Sequence, residues 1–289
     1  MTRLRSRLPR LPVPLLPATL YLTLLLLAPL LLLFSSGFLE SHRGELTGRL
    51  DFSAYRSLFT DSFYAYVFLR TFLIATSVTV LCLLFGYPIA YLYTKVSSRM
   101  KMAILLCVMA PLLTSALVRT FGWIVILGSD GAVNNALMAL GLIDRPLQFL
   151  FTLKGVMIGM TQVLLPFMIV PLIAALQSIP PNLEEAAANL GASRWQTFWR
   201  VTVPQSLPGV AAGVTLVFVL AFSEFTVSAL MGGGTFAVVS VYIFQAMTTL
   251  LDWGLGAALA ALLLLSSAAI VTAFNSITRK LMPWTQQQK

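Results

Sequence analysis

Charge is scarce in this sequence. Only 10% of its 289 residues are Asp, Glu, Lys or Arg, where an ordinary soluble domain carries roughly 25%. Soft ligands are scarcer still: one histidine, His42, and two cysteines, Cys82 and Cys107, which both fall inside apolar runs and are expected to be small buried residues. We therefore expect no metal site, no Ser-His dyad within the apolar segments and no disulfide framework. No Lys follows a Gly, so the phosphate-cradling loop G-x-x-x-x-G-K-[ST] is absent and any ATP must be bound elsewhere. There is no internal repeat, and no cofactor is expected.

In place of charge stand apolar residues, which make up 58% of the chain and give a mean hydropathy of +0.88. A helix that crosses a bilayer needs about 20 predominantly apolar residues. Six segments qualify: Leu15–Phe34, Thr71–Tyr93, Met102–Val118, Gly155–Leu176, Gly209–Leu230 and Gly254–Phe274. The third is the least regular, because Arg119 interrupts an apolar pattern that resumes over residues 121–127. The first follows Arg3, Arg5, Arg7 and Arg10, yet its apolar stretch exceeds a signal-peptide core of about 7–15 residues and no A-x-A-like site follows, so we expect a retained anchor.

Basic residues concentrate in cytoplasmic segments of membrane proteins. Placing the N-terminus inside puts the basic turn Lys95, Arg99 and Lys101, together with Arg194, Arg200, Arg279, Lys280 and Lys289, on the same side as the N-terminal arginines. Most acids then fall outside, among them Glu40, Glu45, Asp51, Asp61, Asp130, Asp144 and Asp252. Both termini are expected in the cytoplasm. This asymmetry accounts for the net charge of +9 without any nucleic-acid partner; the partner surface is membrane lipid.

The longest cytoplasmic connection, 177–208, contains PNLEEAAANLGASRW from Pro181 to Trp195. Pro180 and Pro181 stop the preceding helix. Asn182 can cap a new one, with Glu185 three residues on as in a capping box, so a helix is expected from Leu183 to Leu190. Gly191 fits the left-handed position that ends a helix. Ser193 and Gln196 form a second cap signal, with Trp195, Phe198, Trp199 and Thr202 on one face, and Pro204 and Pro208 are expected to close that element. A helix of about eight residues is marginal alone in water, and Ala186 and Ala187 let a partner approach closely.

Glu185-Ala186-Ala187, three residues, Gly191, nine residues and Val201-Thr202-Val203-Pro204 together resemble the EAA signature of permease subunits of binding-protein-dependent ABC importers, with Val201 and Val203 where Ile and Leu are usual. Further short motifs, Leu117–Trp123, Asn134-Asn135, Ala229–Gly233 and Asp252-Trp253, are similar to the spermidine/putrescine-type branch. The resemblance implies an all-α integral membrane protein of six transmembrane helices with the type I ABC importer permease fold, in a bacterial inner membrane. It implies a second permease subunit forming a heterodimer, an ATP-binding subunit dimer and an extracytoplasmic solute-binding protein, and no catalysis by this chain. It also implies an ATPase-coupling set of Glu184, Glu185, Ala186, Ala187, Gly191 and Pro204.

The expected organisation is a tail, anchor and outer loop over 1–66, a permease domain over 67–280 holding the coupling loop 177–208, and a cytoplasmic tail over 281–289. Glu224 is the one acid within an expected span; buried charge at such depth faces a cavity or a partner. It is a substrate-path candidate with Arg119 and Trp123, or else a carboxylate near the interface or one paired with Arg119 or Lys154. Arg119 can instead snorkel to the outer interface. The rival reading, a secondary transporter or channel that works without an ATPase, would more commonly show repeats and midplane charges.

Overall fold

The computed structural model describes residues 16–42, 45–234 and 236–281. The arginine-rich start of the chain and residues 282–289 of the expected cytoplasmic tail lie outside the described residues. In chain order the elements are α1 (Leu16–Ser36), β1 (Leu39–His42), β2 (Glu45–Leu50), α2 (Ser53–Thr60), α3 (Ser62–Lys95), α4 (Ser98–Met109), α5 (Ala116–Leu127), α6 (Ala132–Ala139), α7 (Leu153–Gln177), α8 (Pro181–Asn189), α9 (Arg194–Thr197), α10 (Val203–Phe222), α11 (Thr226–Gly232), α12 (Val239–Thr248) and α13 (Trp253–Leu281). Among them lie six helical segments long and apolar enough to cross a membrane.

The described residues divide into two packed units, those within 16–60 with 243–262 and those within 61–242 with 263–281. In the first, α1 exposes side chains such as Leu20, Leu24 and Leu31, with no part of its apolar window buried; this surface suits lipid. The expected outer loop is ordered as an antiparallel hairpin of β1 and β2 followed by α2. Phe38 stacks on Tyr55 at 4.6 Å, and the backbone N–H of Trp253 donates to Ser41 Oγ at 3.0 Å, which ties the hairpin to the start of α13.

The second unit is built on α3, α7 and α10. At 34 residues α3 is about 51 Å long by its helical rise, well beyond the roughly 30 Å of a hydrocarbon core. Asp61 starts it by accepting from the N–H of Phe63 at 2.9 Å, and Lys95 lies in its last turn, where the helix dipole favours a cation. Its buried face, Ile74, Val78, Cys82 and Ala90, packs with Met160, Met168, Ile169 and Leu172 of α7 and Val217 of α10. Hydrophobicity alone cannot drive helices together in lipid, so close packing of small residues does. Gly86 stands over Met168 and Ile169, Gly213 over Met168, and Gly209 over Ala175 and the carbonyl of Pro171. Polar atoms are spent internally: Thr71 and Thr79 donate to carbonyls four residues back, and Tyr87 Oη and Ser206 Oγ lie 2.9 Å apart between α3 and α10.

Three expectations are corrected. The third span is not the helix Met102–Val118. Pro111 lacks an N–H and its ring crowds the preceding turn, so α4 stops at Met109, a 3-10 turn covers Ala110–Leu113, and the apolar length that qualifies as a span is Ala116–Ala139. The fifth span ends at Phe222 rather than Leu230, because the chain breaks at Ser223–Phe225 before α11. Cys107 is exposed, whereas Cys82 is buried, and both are free thiols. Two helix ends are turned by left-handed glycines: Gly141 follows α6 at φ +66°, and Gly233 follows α11 at φ +64°.

A Cβ at position 209 would collide with Ala175 and the Pro171 carbonyl, a backbone atom that cannot swing away. Gly209→Val is expected to force α10 from α7 and to cost about 1–3 kcal/mol, the usual range for overpacking. Thermal unfolding of the detergent-solubilised protein should show this as a lowered midpoint, whereas Gly122→Ala, which meets nothing within contact distance, should leave it near the wild-type value.

Candidate functional site

The loop between α7 and α10 is the most elaborately punctuated part of the second unit. Pro180, rather than Asn182, is the residue before the first helical turn of α8, and no side chain caps it. Pro181 occupies the first helical position, where a missing N–H costs nothing, so the helix begins two residues earlier than expected and the Asn182–Glu185 capping box does not form. At the other end Gly191 adopts φ +82°. Its N–H donates to the carbonyl of Ala188 at 2.9 Å and the N–H of Ala192 to that of Ala187 at 3.0 Å, the paired bonds that close a helix through a left-handed residue.

A second helix starts at once. The N–H of Gln196 donates to Ser193 Oγ at 3.3 Å, and the N–H of Ser193 donates to Gln196 Oε1 at 2.9 Å, so the expected capping box is present. Pro204 and Pro208 do not close this element. A π turn spans Phe198–Thr202, with the N–H of Val203 donating to the carbonyl of Phe198, and helix continues from Arg194 to Phe222. The wider turn admits Pro204 in the first turn of α10, where its absent N–H leaves no broken rung. Phe198 is packed edge-on to Tyr87 and Tyr91 of α3.

The expected coupling residues therefore share one structure. Glu185, Ala186 and Gly191 are exposed, and Glu184, Ala187 and Pro204 are half-buried. Glu184 turns to the body of the protein, with Oε2 2.5 Å from Lys95 Nζ and Oε1 accepting from Thr202 Oγ1 at 3.3 Å. Sequence reading missed both partners: Lys95 looked like one member of a basic turn, and nothing local links it to a residue 89 positions away.

The second set lies where helices break. Glu224, half-buried, sits outside the helix in the Ser223–Phe225 interruption rather than inside a span. Its carboxylate accepts from the N–H of Val227 at 2.9 Å and of Ser228 at 3.2 Å, and Ser240 Oγ donates to its carbonyl at 2.7 Å. These donors, rather than Arg119 or Lys154, hold it, because α11 begins there with unpaired N–H groups. Arg119 points along α5 to the earlier interruption, where Nη1 donates to the carbonyl of Pro111 at 2.6 Å. Trp123, one turn further on, donates from Nε1 to Gln162 Oε1 of α7 at 3.1 Å. Gln162 had drawn no attention; a lone amide in the apolar run of α7 was the available signal. Asn134 is buried and bonds the carbonyls of Gly128 and Leu147 and the N–H of Leu147.

Residues 82–285 match the family described as binding-protein-dependent transport system inner membrane component. The chain belongs to that family. It is 34% identical over 246 residues to the spermidine/putrescine transport system permease protein PotB of Escherichia coli, covering 82% of this chain and 86% of that protein. Its fold resembles the crystal structure of a bacterial ABC transporter involved in import of the acidic polysaccharide alginate, with a TM-score of 0.68 over 92% of this chain and 93% of the other at 22% identity. A second structure of a bacterial alginate ABC transporter, in complex with an alginate pentasaccharide-bound periplasmic protein, gives a TM-score of 0.69 over 93% of each chain at 22% identity. This permease is thus a multi-pass inner membrane protein, the membrane subunit of a binding-protein-dependent ABC importer and not a catalytic enzyme.

In Glu224→Ala the permease should lose the acceptor that closes the first turn of α11, at a cost of about 0.5–2 kcal/mol by analogy with other helix caps. Hydrogen exchange followed by mass spectrometry should report faster exchange at Val227 and Ser228 with α7 unaffected; unaltered protection there would contradict the capping role.

Proposed function

We propose that this chain forms half of the translocation path of an importer for a polyamine or a similar cationic or amino-acid-like solute, driven by a separate ATPase that docks on α8. The observation that carries the reading is the exposed Glu185-Ala186 surface of α8, with half-buried Ala187 beside it, turned at Gly191 and led through a capped helix directly into α10. Small side chains let a partner's backbone approach, and the short element gains stability from that partner. Displacement of α8 then reaches α10 without an intervening flexible loop.

In the same reading, the ATPase dimer closes on ATP, two such helices from two permease subunits move together, and the spans shift between inward- and outward-facing states. The permease contributes a difference in stability between those states, as any two-state coupling requires. The 34% identity to PotB supports polyamine chemistry; in this reading a second, different permease subunit completes the path, and a solute-binding protein delivers the cargo on the far side of the membrane. The basic residues at the ends of spans support cytoplasmic placement of both termini, with the 177–208 loop on the same side. Glu224 supplies the negative charge of the path, while Trp123 and Arg119 line it on α5, with Trp123 offering an aromatic face to a cation.

Two measurements test this. With Gly191→Val, a β-branched residue at φ +82° strains the turn, and ATP hydrolysis in proteoliposomes carrying the whole complex is expected to persist while uptake falls at least roughly ten-fold, equivalent to about 1.4 kcal/mol of lost coupling. Normal transport together with normal ATPase stimulation would rule out α8 as the docking element. Glu224→Gln keeps an acceptor but removes the charge, and uptake of labelled spermidine should drop while the complex assembles normally. Unchanged uptake kinetics would remove Glu224 from the path.

A further inference from the structure

Two glutamates stand side by side at the start of α8, and the structure treats them differently. Glu185 is exposed, whereas Glu184 is turned inward between Lys95 at the end of α3 and Thr202 at the end of the π turn. What surrounds this contact makes it unusual. No residue of α8 is buried, so the helix is not seated on the body by a hydrophobic face. Clefts of about 410 Å³ and 390 Å³ flank the Glu184 carboxylate, the first bounded by Lys101 and Gln177 and the second by Ala188 and Arg194. A helix that lacks buried side chains and is bordered by clefts is held by its few polar links.

Glu184 is the residue where those links meet. Lys95 Nζ also lies 5.4 Å over the Tyr91 ring, which limits the directions its long side chain can take. Thr202 is buried, so its hydroxyl is a fixed donor. The two helices it joins are themselves fastened nearby: Tyr87 Oη to Ser206 Oγ at 2.9 Å, and Phe198 edge-on to Tyr87 and Tyr91 at 5.9 and 5.1 Å. One carboxylate thus connects α8 to a block made of the neighbouring ends of α3 and α10.

We propose that Glu184 is a positioning residue, an internal clamp that fixes α8 to α3 through Lys95 and to α10 through Thr202, leaving Glu185 to face the ATPase. This rests on the reading of α8 as the docking element. With side chains of Lys95 and Glu184 43% and 33% exposed, the ion pair contributes little to global stability. Its effect lies in where force goes: with the clamp, α8 and both spans move together; without it, α8 swivels about Gly191 and the Pro180-Pro181 step.

The test uses the permease in lipid nanodiscs and the assembled complex in proteoliposomes, with Lys95→Ala, Glu184→Ala, Glu185→Ala and the charge exchange Lys95→Glu/Glu184→Lys. Two readouts are taken. The first is the mobility of a spin label at Asn189→Cys, in a Cys107→Ser background, recorded on the permease alone. The second, in proteoliposomes, is solute transported per ATP hydrolysed. Lys95→Ala and Glu184→Ala should each loosen the label and lower the transport ratio three- to ten-fold while the ATPase still co-purifies. The exchanged pair should recover at least half of both, and Glu185→Ala should leave the label as in wild type. Unchanged label mobility in both single variants overturns the clamp. A loosened label with an unchanged transport ratio overturns its role in transmission. A wild-type complex in which cysteines at Ala186 and on the ATPase surface never cross-link would instead sink the docking assignment, leaving the spin-label result standing.

Discussion

Where lipid replaces water, a backbone N–H or C=O that leaves its helix has to find another partner within the protein. This constraint governs the parts of the structure that matter most. Three of the places where the chain interrupts its helices are Ala110–Ser115, Leu190–Ser193 and Ser223–Phe225, and at each of these a named group takes up orphaned backbone. Arg119 reaches the carbonyl of Pro111, the bonds around Gly191 satisfy the end of α8, and Glu224 collects the first N–H groups of α11. The polar residues of this otherwise apolar chain are concentrated where helices stop.

Between the breaks the molecule is held by proximity. Gly86, Gly209 and Gly213 let α3, α7 and α10 approach to the point where a single added methyl meets Met168, Ala175 or backbone. Threonines return their hydroxyls to their own helices, and one tyrosine–serine bond joins α3 to α10. A tightly packed trio of this kind has few intermediate arrangements, which suits a machine that alternates between two states.

Much of this was legible in the residues. Apolar runs at spanning length located five of the six helical segments long and apolar enough to cross a membrane, and Gly191 and Ser193 with Gln196 were read correctly because glycine's left-handed freedom and side-chain capping are local chemistry. Misreadings came where distant partners decide. Asn182 had the better capping side chain, but two prolines ahead of it preset the first turn. Pro204 and Pro208 looked like stops because the π turn that accommodates the first cannot be seen in a pattern of period 3.6. Glu224 was placed in a continuous helix because apolar residues run unbroken on both sides, and only the break exposes the N–H groups it accepts. The pairing of Lys95 with Glu184 depends on the ends of α3 and α8 meeting in space, which no spacing in the sequence encodes.

The π turn at Phe198–Thr202 amounts to one surplus residue in a helix that otherwise advances about 100° per step. Everything before it is therefore rotated relative to everything after it, so the azimuth at which the 177–193 segment leaves α10 is fixed by a single residue of length. A chain that gained or lost one position here would present that segment at a different compass bearing while its membrane core stayed intact.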